Sequence, residues 1–312
     1  MENQTSATYF VLLGFSDNPL VQIFLFLMFL CIYAATLMGN MVILMVIRTN
    51  THLHSPMYFF LSHLSFLDVC FSSVTVPRVL MSLCSSRTIS YYDCIAQTFF
   101  IFLTGCTEVF LLSAMAYDRY AAICKPLYYA QIMNREFCSG LVGGSWAKGF
   151  IYSLANTLPL LKLTFCRSNV IRNFSCEFPS LVALSCTDTF LNRVMFFMAA
   201  NTVGGFSFLV IVLSYIHTIR TVLKMHSAEA KRKTFSTCSS HLIVVVLYYT
   251  SSAFRYFSSS IASSVILDEL FSIQYSIATS LLNPIIYSLK TREVKEVIKK
   301  LLRHKPLMSH AM

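Results

Sequence analysis

Asp118 and Arg119 stand side by side, flanked by Tyr117 and Tyr120, where a long apolar run from Ile95 to Met115 meets polar sequence. An acid–base pair at a membrane edge is cheap to keep closed and cheap to open to water, which is the chemistry of a switch. The same arginine could equally anchor a helix end at the headgroups. Asp68, Glu108 and Lys148 lie inside apolar runs, where an ionisable group is costly and calls for a function. Asp68 is 12 residues past Pro56 and Glu108 is 11 residues before Arg119, which at ~1.5 Å per residue puts them about 18 and 16 Å from one membrane edge. Two carboxylates at one depth can share a cation. Hard oxygens suit sodium with water, with Ser65 and Ser113 as further ligands. Otherwise they stand apart as protonated hydrogen-bonding groups. Lys148, two residues after Trp146, is open to snorkelling, to pairing with a carboxylate or to lining a polar cavity. Asn283-Pro284-Ile285-Ile286-Tyr287 places a proline inside an apolar run, which frees a backbone carbonyl and weakens the helix there. Tyr215 and Tyr287 are either interfacial anchors or, with Arg119, partners in an alternative hydrogen-bonded arrangement. No His or Cys cluster has catalytic or metal-ligand spacing, which argues against an enzyme.

The elements that must position these residues are apolar helices. Of 312 residues 56% are hydrophobic and 12% charged, with a mean hydropathy of +0.64. A soluble domain carries roughly twice that charged fraction. Seven segments reach spanning length: Val21–Ile47, Met57–Cys84, Ile95–Ala122, Phe137–Leu161, Val194–Leu223, Phe235–Ser260 and Leu270–Leu289. Each is near or above the ~20 residues a helix needs to cross hydrocarbon, and lipid leaves backbone polar groups no other partner. The net charge of +10 comes from basic residues between and after these runs, where topology and anionic lipid explain it without nucleic acid.

Arg48, Arg119, Lys125, Arg135, Arg220, Lys224, Lys231, Arg232, Lys233 and the basic tail gather on one side. The positive-inside rule therefore puts residues 1–20 outside, the bundle at 21–289 and a cytoplasmic tail at 290–312. Met1–Pro19 lacks Lys, Arg and a sustained apolar core, so the first span is expected to serve as signal anchor. In the tail, Val294, Val297, Ile298, Leu301 and Leu302 fall at helical spacing between basic residues, which predicts a short amphipathic helix on the inner leaflet. Asn3-Gln4-Thr5 and Asn173-Phe174-Ser175 are glycosylation sequons on the outer side, the first the more accessible. Cys94, Cys166, Cys176 and Cys186 lie on that oxidising side, and four cysteines allow three pairings.

With Asp118-Arg119-Tyr120 ending the third span and Asn283-Pro284-x-x-Tyr287 in the seventh, the chain resembles a rhodopsin-like G-protein-coupled receptor. Leu53-His54-Ser55-Pro56-Met57-Tyr58-Phe59-Phe60-Leu61-Ser62, Met115-Ala116-Tyr117-Asp118-Arg119-Tyr120 and Phe235-Ser236-Thr237-Cys238-Ser239-Ser240-His241 resemble the vertebrate odorant receptors of class II. The resemblance implies an all-α bundle of seven transmembrane helices with a short cytoplasmic helix 8, and a non-enzyme. It implies a plasma-membrane protein of olfactory neuron cilia that binds small volatile or semi-volatile molecules. Its partners would be those odorants and a stimulatory olfactory G protein, with cyclic AMP as the output. It implies the Cys94–Cys176 and Cys166–Cys186 bridges, no required cofactor, and a structural sodium ion at Asp68 and Glu108. By matched position the odorant would meet Ile101, Phe102, Gly105, Cys106, Ala199, Val203, Tyr249, Ser252, Ala253, Tyr256, Ile273 and Ser276. The family often carries His three residues before the central loop cysteine as part of a suggested copper or zinc site; Asn173 stands there, so that ligand is missing. A transporter would instead show an inverted repeat with paired broken helices, and Pro284 has no such counterpart.

Overall fold

The computed structural model describes residues 8–13, 18–166, 169–171, 173–258 and 279–290. After strand β1 (Tyr9–Leu12), helix α1 (Pro19–Thr49) starts with Pro19 and is capped by Asn18, whose side chain accepts from the Leu20 N–H at 2.9 Å. Helix α2 (Pro56–Cys84) also opens on proline, and strand β2 (Thr88–Ser90) leads into α3 (Tyr91–Cys124). Ser90 caps α3: its hydroxyl accepts from the Asp93 N–H at 3.1 Å and donates to the Asp93 carboxylate at 2.7 Å. The one-turn helix α4 (Tyr129–Ile132) precedes α5 (Arg135–Thr157), which Asn134 caps through the Phe137 N–H at 2.8 Å. Strand β3 (Val170–Ile171), helix α6 (Phe178–Leu184) and the long helices α7 (Phe190–Lys224) and α8 (Ala228–Ser258) follow. Helix α9 (Thr279–Lys290) is the described end of the seventh span.

Six of the expected spans thus coincide with α1, α2, α3, α5, α7 and α8. The helices overrun the apolar runs because their caps lie in polar sequence beyond them, α8 beginning seven residues before Phe235. The fourth span is shorter than expected: α5 stops at Thr157 and the chain tightens into a 3₁₀ turn over Leu158–Lys162, with Pro159 near its start. Helices α1, α2, α3 and α7 are long and apolar enough to cross a membrane by themselves. Asn3, Ile273, Ser276 and the amphipathic tail segment lie outside the described residues.

Helix α3 is the axis, packed by α2, α5, α7 and α8, while α1 leans on α2 and α9. The main core joins Ile43, Leu61, Leu64, Leu112, Met115, Ile211, Val244 and Tyr248 from these helices. Two helix contacts are close at a glycine. A Cβ on Gly149 of α5 would stand 2.9 Å from the Leu103 carbonyl oxygen of α3 and closer still to the Thr107 hydroxyl. A Cβ on Gly39 of α1 would meet the Pro284 ring of α9 at 3.2 Å. Phe24, Leu27 and Met38 of α1 and Phe197, Phe206 and Phe208 of α7 are exposed, as lipid-facing side chains should be.

One end of the bundle is covered. β1 pairs antiparallel with β2 (Phe10 opposite Ile89) and parallel with β3 (Val11 opposite Val170), giving the order β2-β1-β3. Phe10 and Leu12 are fully buried beneath it, with Phe165 and Leu181. The Cys94–Cys176 disulfide ties the following loop to the start of α3, and Cys166–Cys186 closes that loop on itself. Asn173 is buried and its side chain accepts from the Phe174 N–H at 2.8 Å, so the second sequon is packed inside the loop.

Candidate functional site

At the uncovered end of α3, Asp118 is fully buried and Arg119 bonds it twice, from Nε at 3.1 Å and from Nη2 at 2.5 Å. The other Asp118 oxygen accepts from the Tyr129 hydroxyl at 2.8 Å. Burial, then the neighbouring Asp118 charge, push the Tyr129 hydroxyl above the ordinary tyrosine range, so it stays protonated and donating at neutral pH. Both carboxylate oxygens are therefore occupied and Arg119 is held closed. Tyr120 turns away from the pair, with its ring 5.8 Å from that of His217 on α7 and Lys125 over its face at 6.0 Å.

Among the described residues, Tyr215 of α7 makes no hydrogen bond to Asp118 or Arg119. Its hydroxyl lies 2.7 Å from Nδ1 of His241 on α8, and Nε2 of the same ring lies 3.1 Å from the Leu112 carbonyl oxygen on α3. A carbonyl only accepts, so Nε2 carries the proton and Nδ1 accepts from Tyr215. His241 is fully buried and joins three helices one turn or more above Arg119. In the sequence His241 stands only as the last residue of the Phe235–His241 motif, and Tyr129 belongs to no motif. A buried histidine in an apolar run was the available signal for the first; the second depends on a fold-back that no local pattern marks.

Midway along the bundle, Asn283 of α9 donates to both Asp68 oxygens, at 3.2 and 3.0 Å. Glu108, buried on α3, lies beside both Asn283 and Asp68. Asn40 of α1 donates to the Thr36 and Ser280 carbonyls at 3.0 and 3.2 Å. Around this cluster Glu108 Oε1, Asn40 Oδ1 and Ser280 Oγ are buried without hydrogen bonds, Ser280 Oγ lying near the Asp68 carboxylate outside hydrogen-bond geometry. The structure thus brings together Asp68, Glu108 and Asn283. Ser113 is drawn elsewhere, bonding Ser207 of α7 and the Val109 carbonyl. Pro284, one residue on, is buried against Gly39. Only the helical backbone of Tyr287 and Tyr256 is described.

Near the covered end, the expected ligand residues straddle two packing clusters. Phe102 belongs to the lid cluster, with ring centroids 6.1 Å from Phe178 of α6 and 5.6 Å from Phe196 of α7. Val203 and Tyr249 pack on the main core, and the Tyr249 ring lies 5.3 Å from Phe208. Gly105 and Cys106 are buried in α3 between them, and Ile101, Ala199 and Ser252 are half-buried. Ala253 is exposed. Lys148 lies on the outer face of α5 with its ammonium 4.7 Å from the centre of the Phe110 ring, a cation–π contact that answers the question left by its position in the sequence.

Residues 29–305 match the family model described as olfactory receptor. Human olfactory receptor 5A1 is 45% identical over 308 residues, covering 98% of each chain. Human olfactory receptor 5AN1 is 46% identical over 304 residues, covering 97% of this chain and 98% of the relative. The fold is similar to that of squid rhodopsin, with a TM-score of 0.73 over 92% of this chain and 87% of that one at 15% identity.

Proposed function

This chain belongs to the olfactory receptor family, a family of receptors and not enzymes, and on that premise we propose that it binds small volatile or semi-volatile molecules inside the bundle and passes the event to a stimulatory olfactory G protein, raising cyclic AMP. The observation that supports this reading is the state of Arg119: its guanidinium bonds Asp118 twice and the other Asp118 oxygen is taken by Tyr129, so the pair is closed, at the far end of the helix that also carries Ile101 to Cys106. The ligand is taken by Ile101, Gly105, Cys106, Val203, Tyr249 and Ser252 beneath the disulfide-tied lid, with Phe102 setting the shape of the roof through Phe178 and Phe196. Ligand binding favours an open arrangement only as far as its affinity differs between the two states. In that arrangement α8 swings away from α3, Arg119 leaves Asp118 and meets the G protein, and Tyr215 exchanges His241 for the opened end.

Residues 1–20 lie outside and the tail lies in the cytoplasm of the cilium, with Asn3 glycosylated and residues 291–303 amphipathic. Sodium fits the Asp68 cluster. The donors are hard oxygens from α2, α3, α1 and α9, and the unbonded Glu108 Oε1, Asn40 Oδ1 and Ser280 Oγ are the buried acceptors such an ion satisfies. A bound ion would offset the repulsion of the two carboxylates.

A chemically diverse odorant panel applied to cells with a cyclic AMP reporter tests the reading. Agonists that raise cyclic AMP only when the stimulatory G protein is present support it. A ligand-evoked current in cells lacking that G protein overturns it in favour of a channel.

A further inference from the structure

Among the described residues, two side-chain hydrogen bonds fasten α8 to α3. His241 meets the Leu112 carbonyl, as described above. Seven residues further along α8, the Tyr248 hydroxyl donates to the carbonyl oxygen of Gly105 at 3.0 Å. Gly105 and Leu112 are also seven residues apart, so the two bonds form rungs between antiparallel helices, about 10 Å from each other at ~1.5 Å per residue. Tyr248 is 5% exposed and its ring belongs to the main core. A phenol hydroxyl buried there without an acceptor carries a desolvation cost. The Gly105 oxygen has a second lone pair beyond the one its own helix uses, so this bond forms without breaking α3.

Resting on the receptor reading above, we propose that the Tyr248 hydroxyl is the restraint that couples the ligand residues to α8: its bond to Gly105 holds α8 on α3, and its loss is the first step of opening. The placement supports this. Gly105 and Cys106 form one wall of the ligand set, and Tyr249, adjacent to Tyr248 with ring centroids 5.7 Å apart, belongs to another. A molecule seated between them bears on both sides of the rung at once. The lower rung at His241 then carries α8 alone, next to the Tyr215 and Arg119 switch.

Tyr248→Phe removes the hydroxyl and keeps the ring, so the core stays filled and the Gly105 carbonyl keeps its helical partner. The readout is thiol labelling with iodoacetamide, resolved by peptide mass spectrometry, on purified receptor without ligand or G protein. Cys238 lies on α8 at the Arg119 end and is 6% exposed; Cys138 is 3% exposed and lies on α5, which is neither of the two helices the rungs join. The expected result is a rise of about 2- to 10-fold in Cys238 labelling, the population shift that loss of one net hydrogen bond gives, with Cys138 unchanged. An unchanged Cys238 rate overturns the proposal, and so does a parallel rise at Cys138, which signals general loosening. If Cys238 labelling rises while no odorant moves cyclic AMP, the restraint stands and the signalling reading fails. If odorants raise cyclic AMP and Cys238 does not respond to the substitution, the reverse holds.

Discussion

Asp68 shows how a single carboxylate is read differently alone and in place. By spacing it is one acid at the depth of another. In the fold it accepts twice from Asn283 while Glu108 Oε1 nearby has no hydrogen bond. Buried oxygens that lack donors are expensive, and the sodium ion proposed above would offset that cost. Thermal unfolding of purified receptor in sodium chloride against choline chloride of equal ionic strength should show a higher Tm in sodium. A ligand present at a hundred times its Kd stabilises by about 2.7 kcal/mol. Asp68→Asn should abolish the sodium-dependent difference. A sodium effect of equal size in that variant sinks the assignment. Lys148 makes the opposite point. Its position left snorkelling, a carboxylate partner and a polar cavity all open, and the ammonium rests on Phe110.

Among elements, α3 decides the architecture, and what packs against it is set by side-chain size. Gly149 lets α5 lie close enough that Ser153, one turn on, donates to the Phe99 carbonyl at 2.5 Å. Gly149→Leu cannot be accommodated by rotamer change alone, because one obstacle is the Leu103 backbone oxygen. The expected outcome is a loss of about 1–3 kcal/mol, seen as a lower Tm and reduced surface expression. Gly144→Leu makes a matched control, since a Cβ there meets nothing. Equal effects of the two would contradict the close α3–α5 contact. The long helices were legible in the sequence because hydrocarbon-length apolar runs admit one backbone solution. Their ends were less so: Ser90 and Asn134 cap from polar sequence, outside the runs. Strand β1 was not legible at all. Tyr9–Leu12 is too short for an alternating pattern, and its partners lie some 80 and 160 residues away, so its pairing follows from the loops being brought to it. The Tyr215–His241–Leu112 chain was hidden for the same reason: three residue types were visible, and their junction exists only once α3, α7 and α8 are assembled.

Taken whole, the molecule has a covered end and a switching end joined by one central helix. The lid is pinned by two disulfides and a sheet, so motion is left to the uncovered end. There Arg119 is held by Asp118, Asp118 by Tyr129, and α8 by side-chain bonds to α3 carbonyls. That division predicts that ligand recognition and output are separable by mutation. Arg119→Ala leaves Ile101 to Cys106 and the lid untouched while removing the group proposed above to meet the G protein. The most direct measurement is cyclic AMP evoked by an agonist from the odorant panel, in cells expressing wild type and Arg119→Ala at matched surface density. The structure predicts that the response of the variant is lost although the protein reaches the surface. A full response from Arg119→Ala would contradict the assignment of this end of α3 as the coupling site.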